Sequence, residues 1–494
     1  MKKNIVRLLC FGCLLPNACK PHPFEGNKPD IVLDGVVTRA DNQTYREVPF
    51  RVPEGIIRLT IRLSHTGGQE HTTINFGLFD ARNFRGWSGG SQGTFTLSET
   101  DATPSYVPGP IVAGEWKLLV GVPNIRAGVR SRFRAEVFLS RPDTPIAVST
   151  FSTVPLNVEP RWYRGDLHMH SGHSDGSCRS QNGQQVRCPV FKTVEAPVNR
   201  GLDFIAITDH NTMSDYDAIR ELQAYFDRLL IIPGREITTF EGHANVFGTV
   251  QYIEFRLTSA QLPTANALLR QVRDLHALIS INHPNDVSGE SCLGCGWTAL
   301  DTDFHQVTAL EAVNGGDAEA PSSGISFWQE RLNRGFRLTA IGGSDNHNAD
   351  RTDIPSSIGH PTTVVYADNL SERAILQAIR SGRVFIDVEG TRDRALDISA
   401  TVNGSPIEMG EQVTVPKGTT LHFSIAVRNA AGSQIECVED GRKIERINNP
   451  VVNQGDQVKT FDFISDGSKH WFRANVRSPE GHLLLLGNPV YVNF

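Results

Sequence analysis

Between about Ile31 and Leu156, apolar and polar residues alternate, as in IIRLTIRLS (56–64), TTINFGLFD (72–80) and RFRAEVFLS (132–140). Successive side chains of a strand point to opposite faces, so a period of two predicts half-buried strands. Gly, Ser, Pro and Asn clusters punctuate the runs, and VPGPIVAGEWKLLVG (107–121) adds a turn, a Trp and another strand. No helix-length period occurs, so residues 31–157 read as an all-β sandwich.

From Trp162 to Ile386 the pattern changes. DFIAIT (203–208) and LLII (229–232) read as buried strands, and between them Tyr216, Ile219, Leu222, Phe226 and Leu229 recur at helical spacing. A helix around 265–276, LISI (278–281), VTALEAV (307–313), a helix around 323–334, LTAIGG (338–343), TTVVYA (362–367) and a helix around 371–381 follow. Repeated strand–helix alternation predicts an α/β domain over 160–388, as a barrel or an open sheet. Strand alternation returns in LHFSIAVRN (421–429) and HWFRANVRS (470–478), predicting a second β-sandwich over 395–494.

A chain of 494 residues is too long for one core, in keeping with several domains. A net charge of −6 gives no electrostatic case for nucleic acid or an anionic membrane as partner. The leader differs from the rest: Lys2, Lys3 and Arg7 precede an apolar run from Leu8 to Leu15, then Asn17-Ala18-Cys19. Residues 1–19 read as a secretory signal, with 20–30 as a linker. Cys19 is the candidate lipid-bearing residue of a lipoprotein and Gly12-Cys13 the weaker alternative. The expected location is therefore periplasmic, outer-membrane-anchored or secreted, with membrane contact only through that anchor. Beyond the leader, Cys178, Cys188, Cys292, Cys295 and Cys437 remain. In an oxidising compartment Cys178–Cys188 and Cys292–Cys295 are the expected disulfides, ahead of a four-thiolate zinc site, with Cys437 left over.

The chemistry gathers in the middle region. The strand from 162 runs into His168-Met169-His170, the strand 203–208 ends in Asp209-His210, and Glu236 precedes His243 by seven residues. LISI leads to His283-Pro284, and LTAIGG to Ser344-Asp345-Asn346-His347. In α/β barrels functional groups collect at the C-terminal ends of strands. Residues i and i+2 share a face, so His168 and His170 point at one metal with Met169 turned away, and Asp345 and His347 reach one cluster. Asp175, after a Gly- and Ser-rich turn, can fold back over the site. Single instances of such residues are commonly structural; their concurrence at five strand ends is the signal.

The motifs RGDLHMHSGHSDG, GLDFIAITDHN, PGREITTFEGHANVFG, SINHPN and GGSDNH resemble the successive motifs of the PHP (polymerase and histidinol phosphatase) metallohydrolase superfamily over about 162–386. The flanking sandwiches, the GHAN segment and the ending GNPVYVNF resemble its carbaryl-hydrolase-like (CehA/McbA-type) branch. The first sandwich resembles the jelly-roll-like domains beside catalytic domains of secreted hydrolases. The resemblance implies a multidomain chain: a distorted (β/α)7 barrel flanked by two β-sandwiches. It also implies a cluster of two or three divalent ions. His168, His170, Glu236 and Asp345 would bind the first, and Glu236, His243 and His283 the second. Asp175, His210 and His347 would bind the third. Glu241 and Glu311 compete with His243.

Imidazole and carboxylate ligands without thiolate suit Zn, Mn or Fe, and clustered ions make hydroxide available near neutral pH. That chemistry implies hydrolysis at phosphorus or at a carbonyl of a small molecule or phosphoester, and the superfamily resemblance implies a phosphoesterase foremost. A carboxylic ester, carbamate or amide hydrolase is the alternative, and a non-catalytic exported binding protein with structural metals the third reading. Asp209 and His173 are candidates for orienting a ligand or water, or for proton transfer; Asp209 could instead cap the next helix, and His173 lie at the surface. Arg164, Arg179 and Arg235, with Arg187 nearby, are candidate phosphate-binding cations. Trp297, Phe327 and Trp328 are candidate walls of an apolar pocket. Metal identity and oligomeric state are not encoded in any motif.

Overall fold

The computed structural model describes residues 28–88, 93–142, 151–152, 154–290, 292, 294–316, 318–352 and 355–494. The leader, with Cys10, Cys13 and Cys19, lies outside the described residues. Among those described, no helix is long and apolar enough to cross a membrane.

Two four-stranded antiparallel sheets make up the first region. One runs Ile31–Val37, Ser131–Ser140, Arg58–His65, Thr94–Ser98; the other runs Thr44–Val52, Gly114–Asn124, Thr73–Phe79, Phe84–Ser88. Alternation decides the buried side. Phe133, Ala135 and Val137 point inward, Arg132 and Arg134 outward, and the inward set meets Trp116, Leu118 and Val120 of the facing sheet. The sandwich is fastened to the middle region by ions. Fully buried Asp101 pairs with Arg58 and with Arg220 of the helix Tyr216–Tyr225. Burial alone would raise the Asp101 carboxyl, but the two guanidinium groups outweigh it and hold it at about 2. Beside it, the Ala102 N–H donates to Asp217 (2.8 Å) and the Thr100 hydroxyl to the Val250 carbonyl (2.5 Å).

In the middle region one ladder runs Thr339–Gly343, Ala309–Asn314, Leu278–Ile281, His243–Phe247, Leu230–Thr238, Phe204–Ile207, Arg161–Asp166, Thr362–Ala367, Val384–Asp387. Phe204–Ile207 and Leu278–Ile281 are buried along their whole length, as strands with both faces covered must be. Helices Tyr216–Tyr225, Ala265–Asp274, Ile325–Asn333 and Glu372–Ser381 fall where the helical periods place them. Thr264 and Ser371 cap two of them, each accepting a backbone N–H of the first turn. A further helix, Val190–Arg200, contains Pro197, which masks it in the sequence.

The outer strands of this ladder approach each other, and side chains join them. Thr363 Oγ1 donates to the Gly342 carbonyl (2.6 Å) and accepts its N–H (2.8 Å). Asn488 accepts the Ala340 N–H (2.8 Å) and donates to the Ala340 (2.9 Å) and Val384 (2.8 Å) carbonyls. The ladder also continues past Val384–Asp387 into Leu483–Gly487, His470–Arg477 and Gln434–Glu439. A four-stranded sheet containing Ala395–Val402 and Thr420–Arg428 faces that extension across Phe423, Phe461 and Phe472. The last region thus has two facing sheets, one of them shared with the middle region. Cys178 pairs with Cys188 and Cys292 with Cys295, which removes the four-thiolate alternative; Cys437 is buried and free.

Candidate metal centre

Beyond Asp166 the first central strand continues as an extended segment. The Asp345 N–H donates to the His168 carbonyl (2.9 Å) and the His170 N–H to the Asn346 carbonyl (2.9 Å). His168 and His170 therefore share a face, while Met169 packs with Ile205 and Ile207 in an apolar cluster. Buried Asp166 braces both segments: it accepts the His168 (3.2 Å), Ser344 (3.1 Å) and Gly359 (2.7 Å) N–H groups. A Cβ at Gly343 would fall on His168 and the Glu311 carboxylate, so the strand end must be glycine.

Glu236 lies at the centre. Its Oε2 is 3.4 Å from His168 Nε2, 3.5 Å from His170 Nε2 and 2.9 Å from His210 Nδ1. Its Oε1 is 3.1 Å from His243 Nδ1 and 3.6 Å from His283 Nε2. Asp345 Oδ1 lies 3.3 Å from His168 Nε2 and 3.2 Å from His170 Nε2. Asp175 approaches His347 Nε2 (3.5 Å) and His210 Nε2 (3.7 Å). Ligand atoms of His168, His170 and Asp345, of His168, Glu236 and His283, and of His170, Asp175, His210 and His347 each lie within 4.8 Å of one another. All nine residues expected to bind metal thus converge. His283 and Asp345 adopt left-handed backbone, φ +25° and +50°, a strained state for non-glycine residues that clusters at functional sites.

The cluster has a deep and an open side. His168 and Glu236 are fully buried, whereas Asp175 and His347 have side chains 55% and 40% exposed. Burial opposes charge on the His168 ring, but Glu311, Asp345 and Glu236 outweigh it and raise its pKa well above the ordinary value. Against the same burial, Glu236 and Asp345 hold His283, and Asp175 and Asp345 hold His347, at about 9. Burial would raise the Glu236 and Asp345 carboxyls, yet the surrounding imidazoles hold both well below the carboxylate range. Concentrated carboxylate charge is what a divalent ion would neutralise.

Second contacts fix the rings. Glu311, buried in the strand Ala309–Asn314, accepts from His168 Nδ1 (2.6 Å), the His283 N–H (3.2 Å) and Asn314 Nδ2 (3.0 Å). Glu311 stands behind His168 instead of replacing His243. The Cys295 carbonyl lies 3.0 Å from His283 Nδ1, and the Asp345 carbonyl 2.9 Å from His347 Nδ1. Asn282 Nδ2 donates to Glu236 Oε1 (3.0 Å). Asp209 accepts the Ser171 N–H (2.8 Å) and the Ser171 (2.5 Å) and Ser174 (2.6 Å) hydroxyls, tying down the turn that carries Asp175.

Other expected residues lie elsewhere. His173 is exposed, with Nδ1 2.7 Å from Ser214 Oγ. Arg235 alternates with Glu236 along one strand, so it faces away and donates to the Gln251 carbonyl (2.6 Å). Arg164, two residues before Asp166, is engaged by Asp387 (3.2 Å) and the Arg394 carbonyl instead of the cluster. Arg179 is exposed on the hairpin Ser177–Arg179/Gln185–Arg187, and Arg187 donates to the Gly172 carbonyl (3.2 Å). Phe327 and Trp328 are core residues, Trp328 donating to the Leu338 carbonyl (2.8 Å), and Trp297 packs against that core.

No protein-family model matches the chain, and no curated protein matches it either. Among solved structures it is similar to a two-domain protein from Bacteroides vulgatus containing a predicted PHP-like metal-dependent phosphoesterase. That likeness has 18% identity and a TM-score of 0.36, over 67% of this chain and 95% of that one. A candidate metal-dependent phosphoesterase from Bifidobacterium adolescentis has 15% identity and a TM-score of 0.29, over 39% of this chain and 91% of that one. Likenesses this distant leave function to the geometry of the site.

Proposed function

We propose that the protein is a metal-dependent hydrolase of phosphoesters, and that the nine converging side chains hold two or three divalent ions. One observation carries this reading. His168 Nε2 and Glu236 Oε2, both fully buried and 3.4 Å apart, have no hydrogen-bond partner. Buried polar atoms are ordinarily satisfied, and an ion between these two satisfies both. The donor set fits: imidazoles and carboxylates, with Cys295 engaged in a disulfide, suit Zn, Mn or Fe. We assign His168, His170, Glu236 and Asp345 to the first ion and Glu236, His243 and His283 to the second. Asp175, His210 and His347 take the third, with His170 within reach of that group as well.

When bound, such ions lower the pKa of a shared water and stabilise charge on the reacting oxygen. The chain supplies the rest. Glu311 holds the proton on His168 Nδ1, and the Cys295 and Asp345 carbonyls do the same for His283 and His347. Each of these rings therefore presents Nε2 inward. Asp166 and Asp209 fix the backbone beneath the ligands. Substrate enters on the Asp175–His347 side, where the cluster is open. The curled central ladder fits the distorted PHP barrel, and paired cysteines fit an exported, oxidised protein.

The displacement of Arg164 and Arg235 from the cluster favours a second reading, hydrolysis of a less charged carboxylic ester or carbamate. Protein loaded with Mn or Zn is to be offered an aryl phosphate, an aryl phosphodiester and a naphthyl carbamate. Phosphoester turnover alone is expected; carbamate turnover alone reverses the order. His168→Ala should abolish turnover while the β content persists by circular dichroism. Full activity in that variant contradicts the ligand assignment, and no turnover with full metal occupancy supports a binding protein.

A further inference from the structure

The three most exposed large apolar side chains among the described residues are Leu300 (101%), Val287 (86%) and Phe240 (87%); the next, Tyr45, is 72% exposed. A single exposed apolar residue carries no information, but these three lie on two loops beside metal-site residues. Phe240 stands between Thr238, whose Oγ1 is 2.7 Å from His210 Nδ1, and His243. Val287 follows His283 by four residues, and Leu300 lies farther along the same loop.

The two loops are sewn together. The Thr298 N–H (2.7 Å) and hydroxyl (3.1 Å) both donate to the Glu241 carbonyl, while Gly294 backs directly onto Phe240. The Cys292–Cys295 bridge constrains the same loop. Phe240 thus stands against the loop that carries Val287 and Leu300, and an exposed apolar rim at a site marks a recognition surface. Charge narrows what it recognises. Residues 239–242 and 284–303 contain no Lys or Arg, but they carry Glu241, Asp286, Glu290, Asp301 and Asp303. Such a rim repels further phosphates, sugar acids and polyanions.

We propose that this rim receives a hydrocarbon group of the substrate, so that the site selects phosphoesters of aryl or alkyl alcohols over nucleotides and sugar phosphates. The inference rests on the phosphoester reading for the anionic end of the ligand, and on the rim alone for the apolar end. Methylene burial predicts up to about fourfold tighter binding per carbon when complete, and about twofold against an open rim.

The test uses the Mn-loaded full chain and alkylphosphonates from methyl to octyl, with affinity measured by calorimetry. The dissociation constant should fall about twofold per methylene. The triple variant Phe240→Ser, Val287→Ser, Leu300→Ser should flatten that dependence, and Phe240→Leu should keep it; melting temperature and metal content confirm that each variant is folded. A flat series in the unmodified chain, or an unchanged slope in the triple variant, overturns the proposal. Turnover of an aryl phosphate alongside a flat series leaves the phosphoester reading standing and removes only this one. If no phosphonate binds, both fall. Sedimentation with phosphatidylcholine vesicles that the triple variant loses, together with a flat series, reassigns the rim to a membrane surface and also overturns the proposal.

Discussion

A histidine can ligate through Nε2 only if its proton sits on Nδ1, and at His168 the Glu311 carboxylate enforces this over 2.6 Å. Because Glu311 also accepts the His283 N–H, one buried side chain orients two ligands. Glu311→Gln should weaken metal binding by about 10–100-fold with the fold retained. Metal titration followed by elemental analysis checks this, and unchanged affinity would remove Glu311 from the site. Protons report on the same ligands. His168, raised well above the ordinary value, and His283 and His347, at about 9, are all charged at pH 7 before an ion binds and must become neutral to ligate. Binding should therefore release roughly three protons near neutrality, and affinity should climb with pH through about 9. Calorimetry in buffers of differing ionisation enthalpy measures the release; heats independent of buffer would contradict it. The nine converging side chains were legible because their residue types recur at strand ends. Glu311 and Asn282 were not singled out as supports of the cluster: Glu311 is one charge inside the apolar run VTALEAV, a signal easily taken for a rival ligand. Arg235 misled because sequence nearness to Glu236 ignores the opposite faces of a strand.

Helix Glu372–Ser381 shows what a helix start costs when buried. Ser371 caps it, and Glu372 in its first turn is buried, with Oε2 lacking any partner. Burial pushes its carboxyl up to about 8, against the attraction of Arg220 and Arg380. An acid whose folded pKa exceeds its unfolded value of about 4.5 subtracts stability once the pH passes 4.5, increasingly until about 8. Glu372→Gln should therefore stabilise the protein by roughly 2–4 kcal/mol at pH 8 and leave it unchanged at pH 4. Thermal melts at both pH values decide, and an equal gain at each would show that ionisation is not the cause. Helices with clear apolar periods were predicted within a few residues, as at Ile325–Asn333. The helix Val190–Arg200 escaped because Pro197 argues locally against it, while Val190, Val194 and Pro197 are buried.

At the scale of the molecule, alternation announced two β regions around an α/β region, and the described sheets follow that order. Alternation along a strand does not say which neighbour it pairs with. The ladder crossing from Val384–Asp387 to Leu483–Gly487 was therefore hidden, as was the role of Asn488 in joining Ala340 to Val384. Asn488→Ala strands the Ala340 N–H and removes the side-chain donor from the Ala340 carbonyl, while the Val384 carbonyl keeps the residue-488 N–H, and it should destabilise the chain by roughly 2 kcal/mol. Denaturant midpoints and faster hydrogen exchange at the Ala340 amide test this; an unaltered exchange rate would place closure elsewhere.

That joint also sets a clock. Asn488 is synthesised after every strand of the central ladder, after the five described helices and after most of the last sheet. Asp345 and His347 hang from the edge that it secures. A nascent chain emerging residue by residue thus carries all nine ligands long before the edge bearing two of them is fastened. On the proposed ligand assignment, metal loading belongs to the end of folding, once the late strands have docked.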